Sequence, residues 1–139
     1  MTKPAPTPAP GSTRRVPTWK TVVVIDDLQD LADTLVMLLE LEGYHVIGAT
    51  NGFEGLNLAV QNKADLVLLD YLMPDVNGAD VGIALRANPV TAEVKILISS
   101  ATPEDVVRRA FVDYDAFLPK PYHATDMLEQ VATLLDDPA

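Results

Sequence analysis

The chain has no cysteine among its 139 residues, which excludes a disulfide framework, a zinc-thiolate centre and a thiol nucleophile together. Long apolar runs are missing too: none approaches the ~20 residues of a membrane span, so no membrane insertion is expected. The opening Met1-Thr2-Lys3-Pro4-Ala5-Pro6 lacks the apolar stretch of a secretory signal, and a cytoplasmic setting follows by elimination. Basic side chains are scarce beyond the first twenty positions. Lys3, Arg14, Arg15 and Lys20 stand there without an acid, and the remaining 119 residues set 6 basic against 20 acidic groups. A surface carrying −14 repels nucleic acid, so no direct nucleic-acid contact is expected, and a cationic partner, Mg²⁺ included, suits it better.

The length suits one domain with its own core, and the 48 % apolar and 22 % charged content is that of a globular chain. Five of the eleven prolines fall within residues 1–17, interleaved with Ala, Thr, Ser and Gly. Residues 1–18 therefore read as a disordered, proline-rich basic tail, and 19–139 as the domain. From Thr21 onward, short apolar runs alternate with helix-periodic stretches, the pattern of an α/β fold with a parallel sheet. Strands are predicted at 21–26, 45–49, 65–70, 94–99 and 115–118. Helices are predicted at 29–42, stopped by Gly43, then at 53–62, at 78–87 before Pro89, at 103–112 with Pro103 in its first turn, and at 122–135.

Four of the strands end in polar groups. Val22-Val23-Val24-Ile25 runs into Asp26-Asp27, Leu66-Val67-Leu68-Leu69 into Asp70, Ile96-Leu97-Ile98 into Ser99-Ser100, and Phe117-Leu118-Pro119 into Lys120. Ligands of open parallel sheets bind beyond the carboxyl ends of the strands, so one rim would gather three carboxylates, a hydroxyl and an ammonium. Each like-charged pair at ~4 Å costs on the order of 4 kcal/mol at an effective dielectric near 20, so the cluster needs a cation or a shared proton. Lys120 offsets one charge and a Mg²⁺ ion two more. Beside such a cation, Asp70 can act as a nucleophile toward phosphorus, with Lys120 and Ser100 as donors to the phosphoryl oxygens.

Taken together, Asp26-Asp27, the segment from Asp70 through Met73-Pro74 to Gly78, Ser100-Ala101 and Lys120-Pro121 resemble the receiver domain of two-component response regulators, in order and at the family's spacing from Thr21 to Leu135. The resemblance implies a doubly wound (βα)5 flavodoxin-like fold, a five-stranded parallel sheet in the order 2-1-3-4-5. It implies Asp70 as phosphoacceptor, Asp27 as a direct ligand of Mg²⁺ (or Mn²⁺), Asp26 as a ligand largely through water, and the backbone carbonyl of Leu72 as a further ligand. Ser100 matches the switch hydroxyl, Lys120 the lysine that pairs with the phosphoryl group, Phe117 the switch aromatic, and Pro121 a cis-proline. Phe117 has no hydroxyl where many members carry Tyr, so it signals by packing alone. Leu72 is apolar where some members place a side chain that positions water, so a long-lived phosphoryl state is expected. The implied partners are a histidine kinase or phosphotransfer protein and a downstream target, with a homodimer through the helix-four, strand-five and helix-five face as a further mode.

Plainer readings stand beside these. Ser99 rather than Ser100 could offer the hydroxyl, but strand alternation sends neighbours to opposite faces, and Ala101 supports Ser100. His45 and His123 read as edge or cap residues without metal-spaced partners. Asp75, Asp80, Asp136 and Asp137 read as solvated or capping groups, and Arg108-Arg109 as surface or as an ion-pairing patch. A flavodoxin-like cofactor binder needs a hydroxyl- and glycine-rich loop where Asp26-Asp27-Leu28-Gln29-Asp30 stands. An aspartyl-nucleophile phosphatase needs an acid in place of Leu72. The expectation is a single-domain response regulator, no enzyme beyond catalysing its own phosphorylation and dephosphorylation. The alternatives are a receiver cut from a larger regulator or hybrid kinase, and a non-phosphorylated interaction module.

Overall fold

In the strands, alternate residues face opposite sides of the sheet, and both sides here are apolar, so helices must cover both. The computed structural model describes residues 20–136 except Asp75. The proposed tail, 1–18, lies outside the described residues, as do Asp75 and Asp137. The elements run β1 Thr21–Ile25, α1 Gln29–Leu41, β2 His45–Ala49, α2 Gly52–Gln61, β3 Leu66–Asp70, α3 Gly78–Ala87, β4 Lys95–Ser100, α4 Glu104–Ala110, β5 Ala116–Pro119 and α5 Ala124–Leu135. All five strands are parallel, in the order β2-β1-β3-β4-β5. This is the doubly wound, flavodoxin-like arrangement expected from the sequence.

The alternation divides the core in two. Val23, Ile25, Val67, Leu69, Ile96 and Ile98 meet α2, α3 and α4 through Ala59, Val81, Leu85 and Val107. Their neighbours Val22, Val24, Leu66, Leu68 and Leu97 meet α1 and α5 through Leu35, Leu39, Met127 and Val131. Each fully buried Val, Leu or Ile contributes about 1.5–3 kcal/mol, so the central strands cannot slip by one residue without exchanging both cores.

Most boundaries match the sequence reading to within a single residue; the larger departures, at α4 and α5, and the strand ends that reach the rim have local reasons. Helix α4 is shorter than 103–112: Pro103 is its N-cap at φ −57°, ψ 146°, and Phe111 is extended at φ −155°. A Cβ on Gly82 would stand 2.6 Å from the Phe111 ring, so that ring packs against α3 instead of continuing α4. Helix α5 begins at Ala124 rather than 122, with His123 as an extended N-cap whose N–H donates to the Asp126 carboxylate at 3.3 Å. Strands β4 and β5 run one residue further than expected, ending at Ser100 and Pro119. Pro119 is tolerated because β5 is an edge strand, where a missing N–H breaks no ladder.

The rim formed by the strands' amino ends is clamped by Arg86 of α3. Its Nε donates to Asp113 O at 3.0 Å, Nη1 to Ala92 O at 3.0 Å and Val94 O at 2.6 Å, and Nη2 to Asp115 Oδ2 at 3.0 Å. Asp115 Oδ2 also accepts the Ile96 N–H at 2.8 Å, so one guanidinium ties α3 to the start of β4 and the approach to β5. The side chain is only 16 % exposed, and water competes little for these bonds. Arg86→Met is expected to lower the unfolding free energy by about 1–3 kcal/mol, because it leaves the part-buried carbonyls of Ala92 and Val94 and the Asp115 carboxylate without their shared donor. A fall in the urea midpoint at unchanged m-value checks this.

Candidate functional site

The carboxyl ends of β1 and β3 are neighbours in the sheet, paired through Ile25 and Leu69, so the residues that follow meet at one level. Asp70, Asp26 and Asp27 each bring a carboxylate oxygen to within 4.8 Å of the others. Asp70 and Asp26 are buried, and Asp27 is half-exposed at the mouth. Lys120, just past β5, reaches across β4 into this group. Its Nζ donates to Asp70 Oδ1 at 3.2 Å and lies 3.7 Å from Asp26 Oδ2. Asp26 Oδ1 accepts the Leu28 N–H at 3.0 Å, which fixes that carboxylate in the turn leading into α1. The Lys120–Pro121 peptide bond is cis.

Three carboxylates against one ammonium leave the pocket electrostatically short of positive charge. Burial foremost, then the Asp26 charge, pushes the Asp70 carboxyl up to about 6, against the opposing pull of Lys120. A hydrogen bond with Asp27 adds to the rise. In the absence of a cation, and below about pH 6, the cluster relieves itself with a proton on Asp70, one of the two remedies its composition demands. Oxygen donors grouped this closely, with an open mouth at Asp27, fit a hard divalent ion of the Mg²⁺ type that keeps several waters.

The hydroxyl expected at this rim is turned elsewhere. Ser100 ends β4 and its backbone carbonyl accepts the Lys120 N–H at 2.8 Å, but its Oγ accepts from Thr102 N at 2.8 Å and donates to Thr102 O at 3.1 Å. Both bonds lie within its own loop. Ser99 is equally buried, opposite Asp70 in the ladder. Phe117 on β5 is half-buried, its ring centroid 6.2 Å from that of Tyr114, which in turn stands 6.2 Å from Phe111. The Tyr114 hydroxyl donates to Glu104 at the start of α4. Leu72 is 59 % exposed in the loop after Asp70, and Arg108 and Arg109 are exposed on α4.

Three residues of the site escaped the sequence reading. Gly78 was noticed only as part of a motif, yet a Cβ there would lie 2.9 Å from Asp70 O and 2.9 Å from Tyr71 Cα, so glycine lets α3 press on the strand end that carries Asp70. Tyr114, in the loop before β5, links Phe117 to α4. Tyr122 places its hydroxyl in the interior without a hydrogen-bond partner among the described residues, and burial, then the charges of Asp26 and Asp70, push it up to about 12. Spacing alone carries no signal for any of them, since each depends on what packs opposite.

A model of the response regulator receiver domain matches residues 22–132. The DNA-binding dual master transcriptional regulator RpaA of Synechocystis sp. is 34 % identical over 116 residues, covering 82 % of this chain and 48 % of RpaA. The chain belongs to the response regulator receiver domain family. Among solved structures, the Vibrio cholerae chemotaxis protein CheY4 matches this receiver with a TM-score of 0.79 at 22 % identity, over 85 % of this chain and all of that one (100 %). The Thermotoga maritima response regulator TrrA, solved in complex with Mg²⁺ and BeF, matches with a TM-score of 0.72 at 29 % identity, over 84 % of this chain and 99 % of that one. The receiver spans about half the length of the curated relatives it matches, 48 % in the case of RpaA. Receiver domains are phosphoacceptors rather than enzymes in the ordinary sense, generally bind Mg²⁺ in an acidic pocket, and interact with histidine kinases and downstream effectors. No helix among the described residues is long and apolar enough to cross a membrane.

The raised Asp70 carboxyl sets the pH dependence of the metal-free receiver. Its proton is held more tightly folded, at about 6, than at the ordinary 3.8, so the stabilisation is full below 3.8 and is lost as pH rises through 6. With metal chelated, the unfolding free energy should fall by on the order of 2–3 kcal/mol relative to Asp70→Asn across that window. Urea melts of both proteins at several pH values check it.

Proposed function

We propose that this receiver takes a phosphoryl group from a histidine kinase or phosphotransfer protein onto Asp70 and passes the resulting change to a partner. The observation that carries the reading is the meeting of Asp26, Asp27 and Asp70 within 4.8 Å, with Lys120 on Asp70 Oδ1 at 3.2 Å. The donor's phosphorus–nitrogen bond breaks as an Asp70 oxygen bonds to phosphorus, and the histidine leaves with its nitrogen lone pair. When bound, Mg²⁺ neutralises charge on the phosphoryl oxygens and on the carboxylates around them. Asp27, at the mouth, suits a direct ligand, whereas Asp26, already taken by Leu28 N–H and facing Lys120, suits one acting through water. The Leu72 carbonyl completes the proposed protein ligands.

Ser100 exchanges its bonds with Thr102 for one to the phosphoryl group, and Phe117 follows inward past Tyr114. To carry a two-state equilibrium from 1:99 to 99:1, the phosphoryl group must favour the second state by about 5.5 kcal/mol. Two or three charge-assisted hydrogen bonds at ~1.5–3 kcal/mol each are enough. The face of α4, β5 and α5 then serves the target or a second copy of the chain. Residues 19–139 act as this single domain, with 1–18 as a tail. Nucleic-acid contact is not part of the reading for this acidic span, and the DNA binding stated for RpaA belongs to a protein about twice as long.

The TrrA complex with Mg²⁺ and BeF, at 29 % identity, supports cation and phosphoryl-like binding in this pocket. Incubation with acetyl phosphate and Mg²⁺ should add one phosphoryl group by mass spectrometry, and Asp70→Asn or chelation should abolish the gain. The exposed apolar Leu72 offers attacking water no positioning group, so the modification should outlast seconds in purified protein; decay within seconds would contradict this. No gain on the wild-type chain would leave only a non-phosphorylated interaction module.

A further inference from the structure

At the outer edge of the sheet, β5 and α5 form a groove of about 440 Å³. Phe117, Pro119, Pro121 and Tyr122 give it apolar surface, and Asp126 and Glu129 of α5 give it negative charge. No lysine, arginine or histidine lines it, and neither acid is in an ion pair among the described residues. The ligand that suits such a groove is a chain segment with prolines or other compact apolar groups and positive charge.

The chain carries such a segment outside the described residues. Pro4, Pro6, Pro8 and Pro10 alternate with small residues, and Arg14 and Arg15 follow, with no acid before Asp26. Proline-rich peptides bind aromatic-lined grooves in the extended polyproline form, at low ordering cost. This segment joins the domain at Lys20, whose carbonyl accepts the His45 N–H at 3.0 Å at the amino ends of the strands. Val22 is level with Leu66 and Lys95, and Phe117 with Ile98, so Phe117 lies three strands across and five residues along from Lys20. At ~4.8 Å per strand and ~3.3 Å per residue that is about 22 Å. The ten residues from Pro10 to Lys20 span about 31 Å in polyproline form, so the reach is ample. Helix α5 runs back toward the amino ends, and an entering tail meets Thr133 and Glu129 first.

We propose that residues 4–15 dock within the same molecule in the groove between β5 and α5, Arg14 and Arg15 against Asp126 and Glu129, and the prolines against Phe117 and Tyr122. A short tether holds the segment at an effective concentration of about millimolar, so contacts too weak to join two molecules are enough. Docking itself is independent of phosphoryl transfer. Only its consequence rests on the output role proposed above for this face: the tail covers the side of Phe117 and has to leave before a target binds on β5 and α5.

Because the chain has no cysteine, Ser12→Cys in the full-length protein accepts a single nitroxide label, and amide NMR intensities with the label oxidised and reduced test the docking. The signals of Phe117, Gln130 and Thr133 should lose most of their intensity in the oxidised sample. Arg14→Glu with Arg15→Glu should restore them, as should high salt. Adding Glu129→Lys to that pair should bring the loss back, since the charges are then exchanged across the groove. Loss confined to the exit of the tail, around Lys20 and His45, overturns the proposal. So does loss in the groove that charge reversal leaves unchanged. Equal loss in an isotope-labelled chain without nitroxide, mixed with nitroxide-bearing chain, places a second copy's tail in the groove and overturns docking within one molecule. All readings are taken without Mg²⁺ or phosphodonor, so they stand or fall separately from phosphorylation of Asp70.

Discussion

Three carboxylates held within 4.8 Å of one another repel, and the organisation of this molecule follows from how that repulsion is contained. At such a spacing each pair costs about 3–4 kcal/mol at an effective dielectric near 20, which a loop would relieve by moving apart. Here the carboxylates cannot separate, because their backbones continue from β1 and β3, whose Val24, Ile25, Leu68 and Leu69 are packed on both faces. Lys120 relieves part of the charge and, below about pH 6, a proton on Asp70 relieves more. The remainder is an uncompensated negative charge at that rim.

The two rims of the sheet divide the work. At the amino ends, Arg86 uses its guanidinium to satisfy the carbonyls of Ala92, Val94 and Asp113 and the Asp115 carboxylate. At the carboxyl ends the polar groups are deliberately mismatched in number, three acids to one base.

A line of aromatic rings runs from Phe117 on β5 through Tyr114 to the buried Phe111, ending against Gly82 of α3. The Tyr114 hydroxyl ties that line to Glu104 at the start of α4. Packed rings shift between discrete arrangements rather than deforming smoothly, so any displacement of Phe117 also disturbs Tyr114.

The apolar runs and the polar residues that end them were enough to read the five strands, the parallel sheet and the convergence of Asp26, Asp27, Asp70 and Lys120, because alternating burial and strand-end placement follow from local residue order. Helix ends were read less well where a residue answers to a distant neighbour: Phe111 leaves α4 to meet Gly82, and α5 waits until Tyr122 has turned inward. The direction of the Ser100 hydroxyl, the fit of Gly78 against Asp70 and the unbonded hydroxyl of Tyr122 were settled only by three-dimensional packing. Residue order specifies which groups reach the rim; the distances between groups far apart in the chain, and hence their charges and hydrogen bonds, exist only once the sheet has closed around them.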